Sequence, residues 1–179
     1  FAGTRERDKA GDIGTAVHNV VENYLKLWIT NGERVLDIRV LIPQEADYRI
    51  FAGARSAEKL FNENSIVPVA TELLVGDDKL GIAGTLDFLA LWDDKLVIGD
   101  WKTSNAVGDD YAIQVSAYQH CFEYMTGLKT KGCLLVQLSK SYDQCDLYHI
   151  PNTRSAFRRY KDIANVYDCI RASVADVGT

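Results

Sequence analysis

The amino-acid sequence predicts an α/β layered domain in which a mixed sheet is flanked by helices. Three observations predict it: apolar residues recur at helical steps near the N-terminus, three strand-like runs follow one another through the middle, and helical and strand-like segments alternate from there to the end. The chain has 179 residues, 47% of them apolar, which suits one compact domain with a single core over residues 1–179. It opens on Phe1 rather than Met, so the expectation is a trimmed piece of a longer chain.

Between residues 12 and 30, Val17, Val20, Val21, Tyr24, Leu25 and Trp28 fall at steps of three and four, the period of an amphipathic helix that Asn31-Gly32 ends. A second helix is predicted over 45–64, with Ile50, Ala54, Ala57, Leu60 and Phe61 on one face and a break at Pro68. Residues 69–75, 81–92 and 95–102 are rich in Val, Ile, Leu and Thr. Turn-prone Gly76-Asp77-Asp78 and Asp93-Asp94 separate them, which predicts successive antiparallel hairpins. A polar loop over 103–110 leads to a helix over 111–125 that stops near Gly127. Strands at 133–138 and 147–150 and a helix over 153–172 complete the prediction.

Composition narrows the function. No apolar run approaches the roughly 20 residues that span a bilayer and no signal-like segment opens the chain, so a soluble, intracellular protein is expected, in the cytoplasm or, for a viral protein, the host cytoplasm. The net charge of −5 argues against coating nucleic acid through an overall positive field, although it leaves room for a local basic groove. Cys121, Cys133, Cys145 and Cys169 are scattered without a C-x-x-C pair, which argues against a zinc ribbon and for reduced thiols.

The chemistry concentrates in Gly84-Thr85-Leu86-Asp87-Phe88-Leu89 and Val97-Ile98-Gly99-Asp100-Trp101-Lys102-Thr103. Asp87 interrupts an apolar strand, where an unpaired carboxylate is expensive to desolvate. In the next strand Asp100 and Lys102 share a face and Trp101 points the other way. A hairpin through Asp93-Asp94 brings Asp87 and Asp100 together across the ladder, and two crowded carboxylates require a cation. Hard oxygen ligands suit magnesium, which keeps waters and shares phosphate oxygens. Lys102 is suited to orient an attacking water or to neutralise charge building on a phosphate. The plainer reading is a surface pair at Asp100 and Lys102 with Asp87 at a strand end; the mid-strand aspartate and the hairpin spacing weigh against it.

These runs resemble the PD-(D/E)xK nuclease superfamily, and more narrowly its RecB-like exonuclease branch. Gly14-Thr15-Ala16-Val17-His18 is similar to the branch's G-T-x-x-H segment, and Gln114 with Tyr118 to its Q-x-x-x-Y. The resemblance implies a restriction-endonuclease-like fold and hydrolysis of DNA phosphodiesters with Mg2+, Mn2+ being able to substitute. It implies His18 as a nitrogen ligand beside Asp87 and Asp100, coordination by the backbone carbonyl of Trp101, and a role for Gln114 and Tyr118 in steadying the site and contacting the nucleic-acid backbone. Glu72 matches an acidic residue of the preceding strand, as a partner of the ligands or an occasional ligand, with an ordinary surface glutamate as the alternative. Glu22, four residues after His18, reads as an exposed or bridging partner. The cysteine spacing does not resemble that of relatives holding an iron–sulfur cluster, so none is expected. His120 and His149 read as structural.

Arg154, Arg158, Arg159 and Lys161 on the last helix, with Lys129, Lys131 and Lys140, offer a basic flank for phosphates, against the plainer reading of a solvated charged face. Arg5, Arg7 and Lys9 precede the first apolar stripe and are further candidates. Tyr111 or Trp101 is suited to stack on unpaired bases, with core packing as the alternative. The expected function is a metal-dependent exonuclease in repair, recombination or replication, acting on single strands or duplex ends, with a helicase or recombination partner. Its rivals are a structure-specific or restriction-type endonuclease, a noncatalytic DNA-binding domain of a helicase–nuclease, and a hydrolase of small phosphoesters.

Overall fold

The computed structural model describes residues 2–34, 37–104, 106–138 and 145–175, with side chains between residues 11 and 169 of those stretches. Its elements run α1 (Ala2–Asn31), a 3-10 turn (Ile38–Leu41), α2 (Tyr48–Glu63), β1 (Val67–Asp77), β2 (Ile82–Trp92), β3 (Lys95–Lys102), α3 (Asp109–Thr126), β4 (Cys133–Leu138), β5 (Cys145–Ile150) and α4 (Arg154–Ala175). Among the described residues five strands form one sheet in the order β1-β2-β3-β4-β5. All neighbours are antiparallel except β3 and β4, which run parallel with α3 as the crossover. The fold is the mixed, helix-flanked α/β architecture expected.

Each face of the sheet buries a separate apolar set. Val17, Val21, Tyr24 and Leu25 of α1 and Ala54, Leu60 and Phe61 of α2 pack with Phe88, Val97, Trp101, Leu134 and Val136. On the other face Val115, Cys121 and Phe122 of α3 meet Leu86, Leu89, Ile98, Cys133 and Leu135. Helix α4 lies against α3. Because strand side chains alternate, Trp101 belongs to the first face and Ile98 to the second, and Asp100 with Lys102 follows Ile98 toward α3. Trp101 is 3% exposed and sits 4.5 Å, ring to ring, from Phe88, so the core-packing alternative holds and the stacking role expected for it does not.

The turns follow their residues. Asp93 and Asp94 both take positive φ, 49° and 57°, the geometry of a two-residue hairpin whose twist matches its strands. Asp47 caps α2 by accepting the Arg49 amide at 3.0 Å, placing the start after the residue predicted. The 3-10 turn was not anticipated; its cap Asp37 and its buried Ile38 carry too short a pattern to read. Helix α1 begins well before residue 12, across Gly11 and Gly14, which propensity alone disfavours. At the far end of the β1–β2 hairpin, Asp77 accepts the Lys79 and Leu80 amides and bonds His120 at 2.7 Å, and His120 stacks on Phe157 at 4.2 Å. His120 is thus structural, tying hairpin to α3 and α4. His149 meets the Trp92 ring edge-on at 5.0 Å.

Gly99 shows how closely β2 and β3 are matched, since a Cβ placed there would lie 1.7 Å from Cζ of Phe88. Gly99→Ala is therefore expected to lower stability by about 3 kcal/mol or more through overpacking. Gly11→Ala, in a helix and with nothing within 4 Å, is expected to raise it by about 0.5–1 kcal/mol. Urea unfolding of the two variants checks both signs.

Candidate active site

The β2–β3 ladder pairs Phe88 with Gly99, and Asp87 and Asp100 are the next facing positions. The Trp101 amide does not complete this ladder through backbone alone; it donates to Oδ2 of Asp87 at 2.7 Å. One aspartate is thereby fixed by the backbone that carries the other. Burial, followed by the charge of Asp100, pushes the Asp87 carboxyl up to about 7, against the pull of the Trp101 amide. Burial also raises Asp100, which is 3% exposed, and the neighbouring Lys102 ammonium offsets part of that rise.

Lys102 is held from several sides. Its Nζ lies 2.5 Å from Oδ2 of Asp100, donates to Oε1 of Gln114 at 2.9 Å and stands 4.4 Å from the centre of the Tyr111 ring. Gln114 in turn donates from Nε2 to the Tyr118 hydroxyl at 2.9 Å, so the amide has one orientation that satisfies both neighbours. A Cβ on Gly84 would lie 2.4 Å from the Tyr118 ring, so a glycine at this point of β2 lets α3 close over the site. The D-x-K strand and the Q-x-x-x-Y helix form one chain of contacts, as their spacing suggested. Tyr111, beneath the lysine, had no sequence signal beyond being aromatic.

Helix α1 enters through Gly14, where a Cβ would come within 2.6 Å of Thr103 Oγ1. This close approach sets His18, one turn later, with Nδ1 4.0 Å from Oδ2 of Asp87. Burial and then the Lys102 charge lower the His18 pKa, which favours the neutral imidazole that a metal ligand requires. Glu22 pairs instead with Lys26, as a bridging residue of the helix surface. Glu72 lies opposite Asp87 in β1, where the ladder passes from Thr71–Phe88 to Leu73–Leu86, and has φ of 50°. A non-glycine residue in that conformation inside a strand is strained, a condition often retained near functional sites. Partial desolvation, then the charge of Glu22, raises the Glu72 carboxyl, and Glu72 adds to the upward push on Asp87.

Among the described residues no three His, Cys, Asp or Glu side chains gather tightly enough to form a metal cluster by themselves. The donors nevertheless fit a hard divalent cation. Asp100 Oδ2 is buried and, among the described residues, meets the Lys102 ammonium without a directed hydrogen bond, and the facing Asp87 is raised by burial and by the charge of Asp100.

The basic residues do not converge here. Lys131 pairs with Asp93 at 2.8 Å, at the end of the β2–β3 hairpin opposite Lys102, and Lys129 pairs with Glu123 at 2.7 Å. Arg154, Arg158 and Arg159 are exposed on α4; Arg159 comes within 3.9 Å of Asp109 at the start of α3, and Arg154 lines a separate groove with Lys129 and His120. Lys161 lies 5.4 Å from the Phe157 ring. Lys140 and the side chains of Arg5, Arg7 and Lys9 fall outside the described residues. Among the described residues, no helix is long and apolar enough to cross a membrane.

A sequence profile of the PD-(D/E)XK nuclease superfamily matches residues 2–171. A segment of 107 residues is 32% identical to an ATP-dependent helicase/nuclease component from Carboxydothermus hydrogenoformans, covering 56% of this chain and 8% of that protein's length. The chain therefore spans under a tenth of that relative. Among solved structures, one titled "Crystal structure of SSO0001" aligns over 82% of this chain and 72% of its own at 17% identity, with a TM-score of 0.37.

The raised Asp87 carboxyl has a measurable signature. Folded and metal-free, it holds its proton to about pH 7, whereas an unfolded chain releases it near 3.8, so its contribution to stability is full at low pH and is lost as pH rises through 7. In the presence of a chelator, Asp87→Asn is expected to gain about 2 kcal/mol or more over the wild type at pH 8 and nothing at pH 4. Equal stabilities at pH 8 in chemical unfolding would show that the carboxylate is not electrostatically stressed.

Proposed function

The chain belongs to the PD-(D/E)XK nuclease superfamily, and from that premise we propose that it hydrolyses DNA from an end, as a magnesium-dependent exonuclease of repair, recombination or replication. The observation carrying this reading is the unbroken run of contacts from Asp87 through the Trp101 amide and from Asp100 through Lys102 and Gln114 to Tyr118. Two stressed carboxylates and one clamped ammonium on adjacent strands are the equipment of phosphodiester hydrolysis.

Asp87 and Asp100 would hold the cation, with His18 and the Trp101 carbonyl as further donors. When bound, magnesium or manganese polarises the phosphate and lowers the pKa of a nearby water. The protein's own part is electrostatic and positional. Lys102 presents an ammonium to the phosphate where negative charge accumulates, and Gln114 keeps that ammonium from swinging away. Tyr118 fixes the amide of Gln114, and Tyr111 places a ring face beneath the lysine. Glu72 adjusts the charge felt by Asp87 from the edge of the site, and Glu22 does so only indirectly, through its charge on Glu72. The exposed arginines Arg154, Arg158 and Arg159 guide the DNA backbone from α4.

The G-T-x-x-H and Q-x-x-x-Y segments support the exonuclease branch, as does the name of the relative, which is that of a helicase/nuclease. A helicase, as partner or as the remainder of a longer chain, is the matching proposal for what delivers DNA ends.

End-labelled linear DNA, single- and double-stranded, and closed circles separate the outcomes. With magnesium the wild type is expected to degrade linear DNA and spare circles, while Lys102→Ala and Asp100→Ala lose about 10²-fold or more. Cutting of circles would make the enzyme an endonuclease; activity surviving in both variants would remove the assignment. Magnesium is also expected to raise the melting temperature of the wild type but not of Asp100→Asn.

A further inference from the structure

A second cavity begins where the reaction centre ends. It holds about 360 Å³ between the start of β2, α3 and α4, and its walls are Ile82, Ala83, Ile113, Ala117, Tyr160 and Ile163. Gln114 and Tyr118 line it as well, and Gln114 also bonds Lys102 at 2.9 Å. The groove therefore opens one side chain away from the candidate phosphate position. Ile163 stays 59% exposed on α4, an apolar wall of this groove left in water.

We propose that this groove receives one unpaired nucleobase of the DNA strand, the base adjoining the phosphate that is cut. The inference rests on the nuclease reading and extends it to a subsite. The lining has the character a base requires: apolar and aromatic walls for its faces, and Gln114 and Asp110 for its polar edge. Among the described residues no lysine or arginine is in the lining, and Asp110 would repel a phosphate while accepting hydrogen bonds from a base amino group. A base can enter only after leaving its stack, so duplex DNA must be frayed before it fits, whereas a single strand presents the base at little cost.

The test pairs a groove variant with a missing base. Single-stranded oligonucleotides are prepared intact or with one abasic residue, stepped through the positions next to the cut, and kcat/KM is measured for the wild type and for Ile163→Asp. The wild type is expected to lose about 10-fold at one abasic position, in line with the stacking of a single base. Ile163→Asp is expected to lose a similar factor on intact DNA and nothing further on that abasic substrate. Equal losses by the variant on both substrates, or no loss on either, overturn the proposal; so does an effect of Ile163→Asp on self-association alone, which marks the groove as a protein contact. Anisotropy of the same labelled oligonucleotides in a chelator separates two failures. Base-dependent affinity without cleavage keeps the groove and retires the hydrolytic reading, while cleavage without base dependence does the reverse.

Discussion

The bond from the Trp101 amide to the Asp87 carboxylate is the contact on which the candidate centre depends. It replaces what would be an ordinary ladder bond with one that ends on a charge, at the point where β2 and β3 bring two aspartates face to face. The aromatic set beneath it, Phe61, Phe88 and Trp101, makes this arrangement rigid, because Trp101 cannot move without unpacking the core. A carboxylate so placed is denied the water that would relax it, and its raised pKa records that denial.

Space around the centre is allotted by missing side chains. Gly14 admits α1 against Thr103, Gly84 admits Tyr118 of α3, and Gly99 admits the Phe88 ring. The three serve different neighbours, yet each lets an element approach until its polar groups come within reach of the charged strands. Packing and electrostatics are therefore settled by the same positions.

The element order and most boundaries were legible because the apolar periods are strong: Val17 to Trp28 for α1, and the Val- and Ile-rich runs for β1 to β3. The proximity of Asp87 and Asp100 was legible too, since a two-residue turn at Asp93-Asp94 fixes the register that faces them. Other features depend on partners remote in sequence. The parallel pairing of β3 with β4 needs the whole crossover through α3; the Asp77–His120 contact joins a hairpin to a helix; the cation–π contact at Tyr111 appears only once α3 is docked. Glu72 was recognisable as an acid in a strand, but its positive φ had no compositional sign, since glutamate seldom adopts it. Trp101 carried an ambiguity between stacking and core that only burial resolved.

The crossover helix gives the centre two origins in time as well as in space. Asp87, Asp100 and Lys102 lie within two hairpin-linked strands, whose loop closes over few residues and at small entropic cost. Gln114 and Tyr118 arrive only when α3 packs down and β4 finds its parallel place beside β3, a longer-range and slower event. Until the helix docks, the lysine has beside it only the Asp100 of its own strand, and its seat against Gln114 and Tyr111 is still missing.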